Sequence, residues 1–163
     1  MGAPRSQKGQ RANEFQKRIR LTKSFYASIF EITNGQYGKF KRSLKKSLGA
    51  DDIPVTSVDW NEAASFCNWL SKNEGLQLFY KIVNGRVNGF NKNTDGYRLL
   101  SEAEWEWLSR MAGKTKQTIF SWGDEMIIPP NAANVSDEGA KGQMKFYVPN
   151  YNDGYVSAAP VGS

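Results

Sequence analysis

Tyr97-Arg98-Leu99-Leu100-Ser101-Glu102-Ala103-Glu104-Trp105-Glu106-Trp107 is the stretch on which the fold of this chain turns. Its first four residues have the character of a short strand that runs into a helix with no linker. Ser101 is a good N-cap, and Glu104 three residues later completes a reciprocal capping box. Glu102, Glu104 and Glu106 place negative charge in the first turns, where unpaired N–H groups and the helix dipole favour it. Helical spacing then puts Trp105, Leu108, Ser109 and Ala112 on one face. Caps and salt bridges account for the three glutamates; Glu102 and Glu106 stand one turn apart while Glu104 points elsewhere, so they do not read as a catalytic group.

Upstream, Asn84-Gly85 separates two strand-like runs, Leu78–Val83 and Arg86–Phe90, and is a strong hairpin signal. Asp59-Trp60-Asn61-Glu62 opens another helix with an acid at N3, carrying Ala63, Ala64, Phe66, Cys67, Trp69 and Leu70 and ending near Glu74, with Gly75 as its cap. Thr33-Asn34-Gly35-Gln36 is a further capping box, with Tyr37, Phe40 and Leu44 on one face of its helix. Residues 18–21 and 25–32 read as strands, the second rich in aromatic and β-branched side chains. Residues 1–14 are a polar arm or loop.

The 163 residues fit one domain with a real core, and five Trp and nine Phe point to an aromatic one. Fifteen Gly imply a loop-rich fold. No apolar run is long enough to span a membrane, and no signal peptide is visible. With no His, neither an imidazole-based triad nor a His-ligated zinc is available within the chain. With one Cys no intrachain disulfide forms, and the compartment stays open. Cys67 falls on the apolar side of its helix, as a buried structural thiol does. Residues 1–50 carry twelve Lys/Arg against two acids, residues 51–120 eight against nine, and residues 121–163 two against five. The basic first third raises a nucleic-acid-binding module as a weaker hypothesis, but it contains no recognised binding motif. A solvated basic face is the favoured reading, with no nucleic-acid partner.

Gly96–Trp107 resembles the GYRLPTEAEWEY signature of the formylglycine-generating enzymes, or sulfatase-modifying factor domains, with Leu100 for Pro and Ser101 for Thr. The resemblance extends along the chain. Phe25–Tyr37 is similar to the family's F-x-I-x-x-x-E-V-T-N-x-Q-Y element, and Pro54–Leu70 to its P-V-x-x-V-S-W-x-x-A-x-x-Y-C-N-W-L helix. Phe120–Glu125 is similar to Y-P-W-G-D-E, and Asn150–Ser163 to a stretch ending A-P-V-G-S. The family's following segments are absent, so the resemblance implies the N-terminal two thirds of a single domain over 1–163. The fold it implies is α+β and C-type-lectin-like, with short strands, two or three helices and long loops.

Full enzymes of that family oxidise a sulfatase cysteine to formylglycine with copper(I) held by two thiolates, a ligand pair that suits a soft ion. A chain with one Cys does not supply the pair, so copper is not expected here. The resemblance also implies one calcium site, formed by Asn134, Val135, Asp153 and Tyr155 through an amide, a carboxylate and two backbone carbonyls. Two ordinary turns explain the same residues. Asp153→Ala is then expected to abolish calcium binding and leave the calcium-free protein about as stable. The expected function is a domain without oxidase activity that serves a structural or ligand-binding role, its partner a protein or small ligand left unspecified. The alternative is a fragment of a copper-dependent oxidase whose catalytic cysteines lie outside this chain, with a sulfatase-type peptide as its substrate.

Overall fold

The computed structural model describes all 163 residues, except for the side chain of Lys46. The chain forms three helices, α1 (Asn34–Phe40), α2 (Trp60–Asn73) and α3 (Glu102–Arg110), and two strands, β1 (Tyr80–Val83) and β2 (Arg86–Phe90). Single 3-10 turns occupy Lys45–Ser47 and Glu138–Ala140. The fold is α+β and loop-rich. No helix among the described residues is long and apolar enough to cross a membrane. Two compact units result, one from Met1–Ala27 and Leu100–Ala132, the other from Ser28–Leu99 and Ala133–Ser163.

In the second unit, α1 and α2 start where their caps dictate. The Gln36 N–H donates to Thr33 Oγ1 at 3.2 Å, and the Thr33 N–H donates back to Gln36 Oε1 at 3.0 Å. The Glu62 N–H donates to Asp59 Oδ1 at 2.9 Å. Gly75, at φ +71°, takes the left-handed position that ends α2. Helix α1 stops at Phe40, so Leu44 does not continue its face and is exposed.

The hairpin forms as its turn requires, with Asn84 at φ 49° and Gly85 at φ 74°. Tyr80 pairs with Phe90 and Ile82 with Val87, across a bulge at Lys81/Ile82. Ala64, Cys67 and Tyr80 form the core, flanked by Phe79, Ile82, Val87 and Leu99. A second aromatic cluster joins Tyr37, Phe40, Phe66 and Trp69, with neighbouring centroids 5.5–5.8 Å apart. Two amides of α2 stitch the hairpin on. Asn68 exchanges hydrogen bonds with the Tyr80 backbone at 2.8 and 3.1 Å, and Asn61 Oδ1 accepts from the Val87 N–H at 3.0 Å.

Residues 97–100 are extended but are not a strand. Their N–H groups find side chains instead of a ladder: Tyr97 donates to the buried Ser71 Oγ at 2.8 Å, and Leu99 to Tyr80 Oη at 3.0 Å. Glycine is required at 96, because a Cβ there would lie 1.9 Å from the Gln77 carbonyl oxygen. Residues 18–21 and 25–32 likewise form no strand. They have the composition of strands but form no ladder: 25–32 meets a neighbouring backbone only at its end, where the Val55 N–H donates to the Ile32 carbonyl at 2.9 Å, and Tyr26 and Ile29 are fully or largely exposed.

In the first unit, Ser101 caps α3 in the expected box. The Glu104 N–H donates to Ser101 Oγ at 3.4 Å, and Glu104 Oε2 accepts from the Ser101 N–H at 2.8 Å. Of the face that Trp105, Leu108, Ser109 and Ala112 share, the last three are half-buried and only Trp105 is exposed. Trp105 is 63% exposed, while Ala103, Glu106, Trp107 and Met111 line a cavity of about 90 Å³ with Met1, Ile19 and Leu21. Glu106 makes the difference. It accepts from the Gly2 N–H at 2.9 and 3.1 Å, from Gln117 Nε2 at 2.8 Å and from Arg110 at 3.1 Å, which turns a polar position into an interior one.

Candidate metal centre

Two loops of the second unit, 133–140 and 150–157, meet without any regular pairing. Tyr151, which is buried, holds them together. Its hydroxyl donates to the Ala133 carbonyl at 2.7 Å, and its own carbonyl accepts from the Glu138 N–H at 3.1 Å. Asp137 is the second tie. Its carboxylate, 0% exposed, accepts from the Gly139 N–H at 2.8 Å and the Asp153 N–H at 2.6 Å.

On this frame Asp153 sits between the loops. Its Oδ2 accepts from the Val135 N–H at 3.0 Å and from Asn134 Nδ2 at 3.3 Å, and its Oδ1 from the Tyr155 N–H at 2.8 Å. Asn134, Val135, Asp153 and Tyr155, far apart in sequence, are therefore in one place. Asp153 also works without any ion: removing its side chain frees three donors. The expectation that Asp153→Ala leaves the calcium-free protein as stable is corrected accordingly.

The donor set suits a hard cation. The carbonyls of Val135 and Tyr155 accept no hydrogen bond among the described residues, and Asp153 Oδ1 keeps a second lone pair, whereas both of Oδ2 are taken by Val135 and Asn134. Asn134 presents its nitrogen, which donates to Asp153 and to the Ser157 carbonyl at 3.0 Å. Rotating the amide by half a turn puts oxygen there instead. That would give four protein oxygens, fewer than the six to eight calcium takes, so water would complete the shell. Asp137 is spent on backbone N–H groups and positions Asp153. Among the described residues no three His, Cys, Asp or Glu side chains gather as a metal cluster, so one carboxylate carries the charge of this site.

Asp137 and Tyr151 were not singled out by the sequence. Asp137-Glu138-Gly139 carries the signal of an Asx turn, a short carboxylate two residues before a glycine. Nothing local marks Tyr151.

Cys67 lies in the core beside Ala64 and Tyr80, as its helical position implies. Burial pushes its thiol up to about 11, so it stays protonated and unreactive near neutral pH. Burial likewise raises Tyr80, whose hydroxyl accepts from Leu99.

The model of the sulfatase-modifying factor enzyme 1-like domain matches residues 1–163, and the chain belongs to that family. The C-type-lectin-like fold implied by the sequence motifs is this family's fold. The chain is 27% identical over 111 residues to the chaperone protein LppX of Paenibacillus barcinonensis, covering 60% of this chain and 40% of that protein. It is 29% identical over 115 residues to the formylglycine-generating enzymes of Mus musculus and Bos taurus, covering 70% of this chain and 22% of each enzyme. The chain thus spans well under half the length of these relatives. No solved structure matches it.

Proposed function

We propose that residues 1–163 are one sulfatase-modifying-factor-type domain that performs no oxidase chemistry of its own and has a structural or ligand-binding role. The observation that carries this is Cys67: it is the only thiol in the chain, and it is buried in the core with its proton held. Copper(I) chemistry of the kind found in the family needs two thiolates at one ion. The test is incubation of the purified chain with copper(I) and a cysteine-containing sulfatase peptide, read by mass spectrometry. The peptide is expected to remain unconverted, and appearance of the aldehyde product overturns the proposal.

Within this reading, Asn134, Val135, Asp153 and Tyr155 hold one calcium ion between the 133–140 and 150–157 loops. The ion would act as a cross-link, taking over from the Asn134–Asp153 hydrogen bond that ties the loops at 3.3 Å. Its signature is a calcium-dependent rise in the unfolding midpoint. The second reading, a portion of a copper-dependent formylglycine-generating oxidase with its cysteine pair elsewhere, is favoured by the 22% coverage of the two enzymes. It predicts two cysteines in the reading frame beyond these residues.

A further inference from the structure

We propose that the groove between the end of α1, the first turn of α2 and the tip of the β1–β2 hairpin binds a neutral carbohydrate. The groove is open to solvent along one side and has a volume of about 730 Å³, within the size range of small-molecule sites. Trp60 stands in it half-exposed at 50%, fixed by an edge-to-face contact with Tyr80 at 5.8 Å. A rigid, half-open indole offers an apolar platform at small entropic cost, and the C–H face of a sugar ring fits such a platform.

Around the indole the charges cancel. Lys41 and Arg86 balance Asp59 and Glu62, and Asn61 and Asn84 add amide groups. A phosphate or nucleic-acid strand would require excess positive charge here, and a metal ion a cluster of acids. Balanced carboxylates, amides and cations suit neutral hydroxyl groups, which both donate and accept. The Lys41–Glu62 pair, at 2.7 Å, uses only Glu62 Oε1, and Asp59 uses only Oδ1 for its cap, so an oxygen of each carboxylate remains.

A separate observation lies on α1, one turn before Phe40 and Lys41 of the groove. Tyr37 is 2% exposed, and its hydroxyl is the one buried side-chain N or O atom among the described residues without a hydrogen-bond partner. Burial raises the Tyr37 pKa most, the charges of Glu62, Lys41 and Asp59 act on it next, and its ring packs at 5.6 Å on Phe40, which lines the groove as those three do. An orphaned hydroxyl is costly to bury, and a ligand hydroxyl that reaches past Phe40 from the groove would satisfy it. The inference adds a ligand class to the ligand-binding reading above, but at residues separate from Asn134 and Asp153.

The test is a two-dimensional NMR titration of the ¹⁵N-labelled chain, in chelator, with cellohexaose, maltohexaose, chitohexaose and mannohexaose in turn, and with a proline-rich decapeptide. At least one saccharide is expected to bind with a Kd of about 1 mM or tighter. Its shifts should centre on the Trp60 indole, Asn61 and Asn84–Val87. Trp60→Ala should weaken binding by about tenfold or more, as loss of an aromatic anchor does. Because Trp60 also packs on Tyr80, Arg86→Ala and Tyr37→Phe serve as variants that keep the fold, and each should weaken binding several-fold. Asp153→Ala should bind saccharide as the parent does, which separates failure here from failure of the calcium reading. No saccharide binding at about 10 mM, binding unchanged in both Arg86→Ala and Tyr37→Phe, or binding of the peptide alone overturns the proposal.

Discussion

Asp137→Ala is the most informative perturbation of the loop frame. The Asp137 side chain is fully buried, and its two oxygens accept from the Gly139 and Asp153 N–H groups. Both donors lose a charged acceptor in the variant. Each such bond contributes about 1.5–3 kcal/mol, so the loss comes to about 3–6 kcal/mol. For a chain of this length that lowers the unfolding midpoint by roughly 10 °C. Asp137→Asn keeps one acceptor oxygen but turns an NH₂ group toward one of the N–H donors, and it should recover about half of the loss. Differential scanning calorimetry of the three proteins in chelator provides the measurement. A loss below about 1 kcal/mol in Asp137→Ala would refute the claim that this carboxylate holds the 133–140 and 150–157 loops together.

Two further predictions concern the helices. Ser101→Ala removes the reciprocal cap of α3 and should destabilise the chain by about 0.5–2 kcal/mol in chemical denaturation; an unchanged midpoint would place the start of the helix elsewhere. Cys67 ionises near its ordinary value of 9.0 when unfolded and at about 11 when folded. Its contribution is therefore complete below pH 9 and is lost as the pH rises toward 11, because the unfolded chain releases the proton first. Cys67→Ala should flatten that part of the stability–pH curve, and an equally steep fall in the variant would contradict the buried-thiol account.

The elements that the sequence predicts correctly are those set by a few adjacent residues. Thr33 with Gln36, Asp59 with Glu62, and Ser101 with Glu104 start their helices, and Asn84-Gly85 turns the hairpin. Each is a contact closed within one turn of chain, so its signal is local. Strands are different, because an apolar run becomes a strand only when a neighbour offers a ladder. Residues 18–21, 25–32 and 97–100 have the composition but no ladder along their length: 25–32 is paired only at Ile32, and at 97–100 the side chains of Ser71 and Tyr80 take N–H groups. In α3 the exposure of Trp105 and the partial burial of Glu106 have a related cause. Periodicity assumes that tryptophan goes inside and glutamate outside, whereas Glu106 is drawn inward by Gly2 and Gln117, remote in sequence. At the candidate metal centre the family motifs led to Asn134 and Asp153. Asp137 and Tyr151, which make that meeting of loops rigid, act through long-range backbone contacts that leave only a faint trace in sequence.

Calcium-dependent unfolding tests the central proposal most directly. Four protein oxygens with one carboxylate suggest an affinity at the weak end of the calcium range, about 0.1–1 mM. Calcium at about 10 to 100 times Kd then stabilises the folded chain by about 1.4–2.7 kcal/mol. The midpoint should rise by roughly 3–8 °C in the parent. Asp153→Ala should start from a lower midpoint, since Val135, Asn134 and Tyr155 lose their shared acceptor, and should show no rise with calcium. Equal parent midpoints in calcium and in chelator would contradict the account and leave Asn134 and Asp153 as loop ties alone.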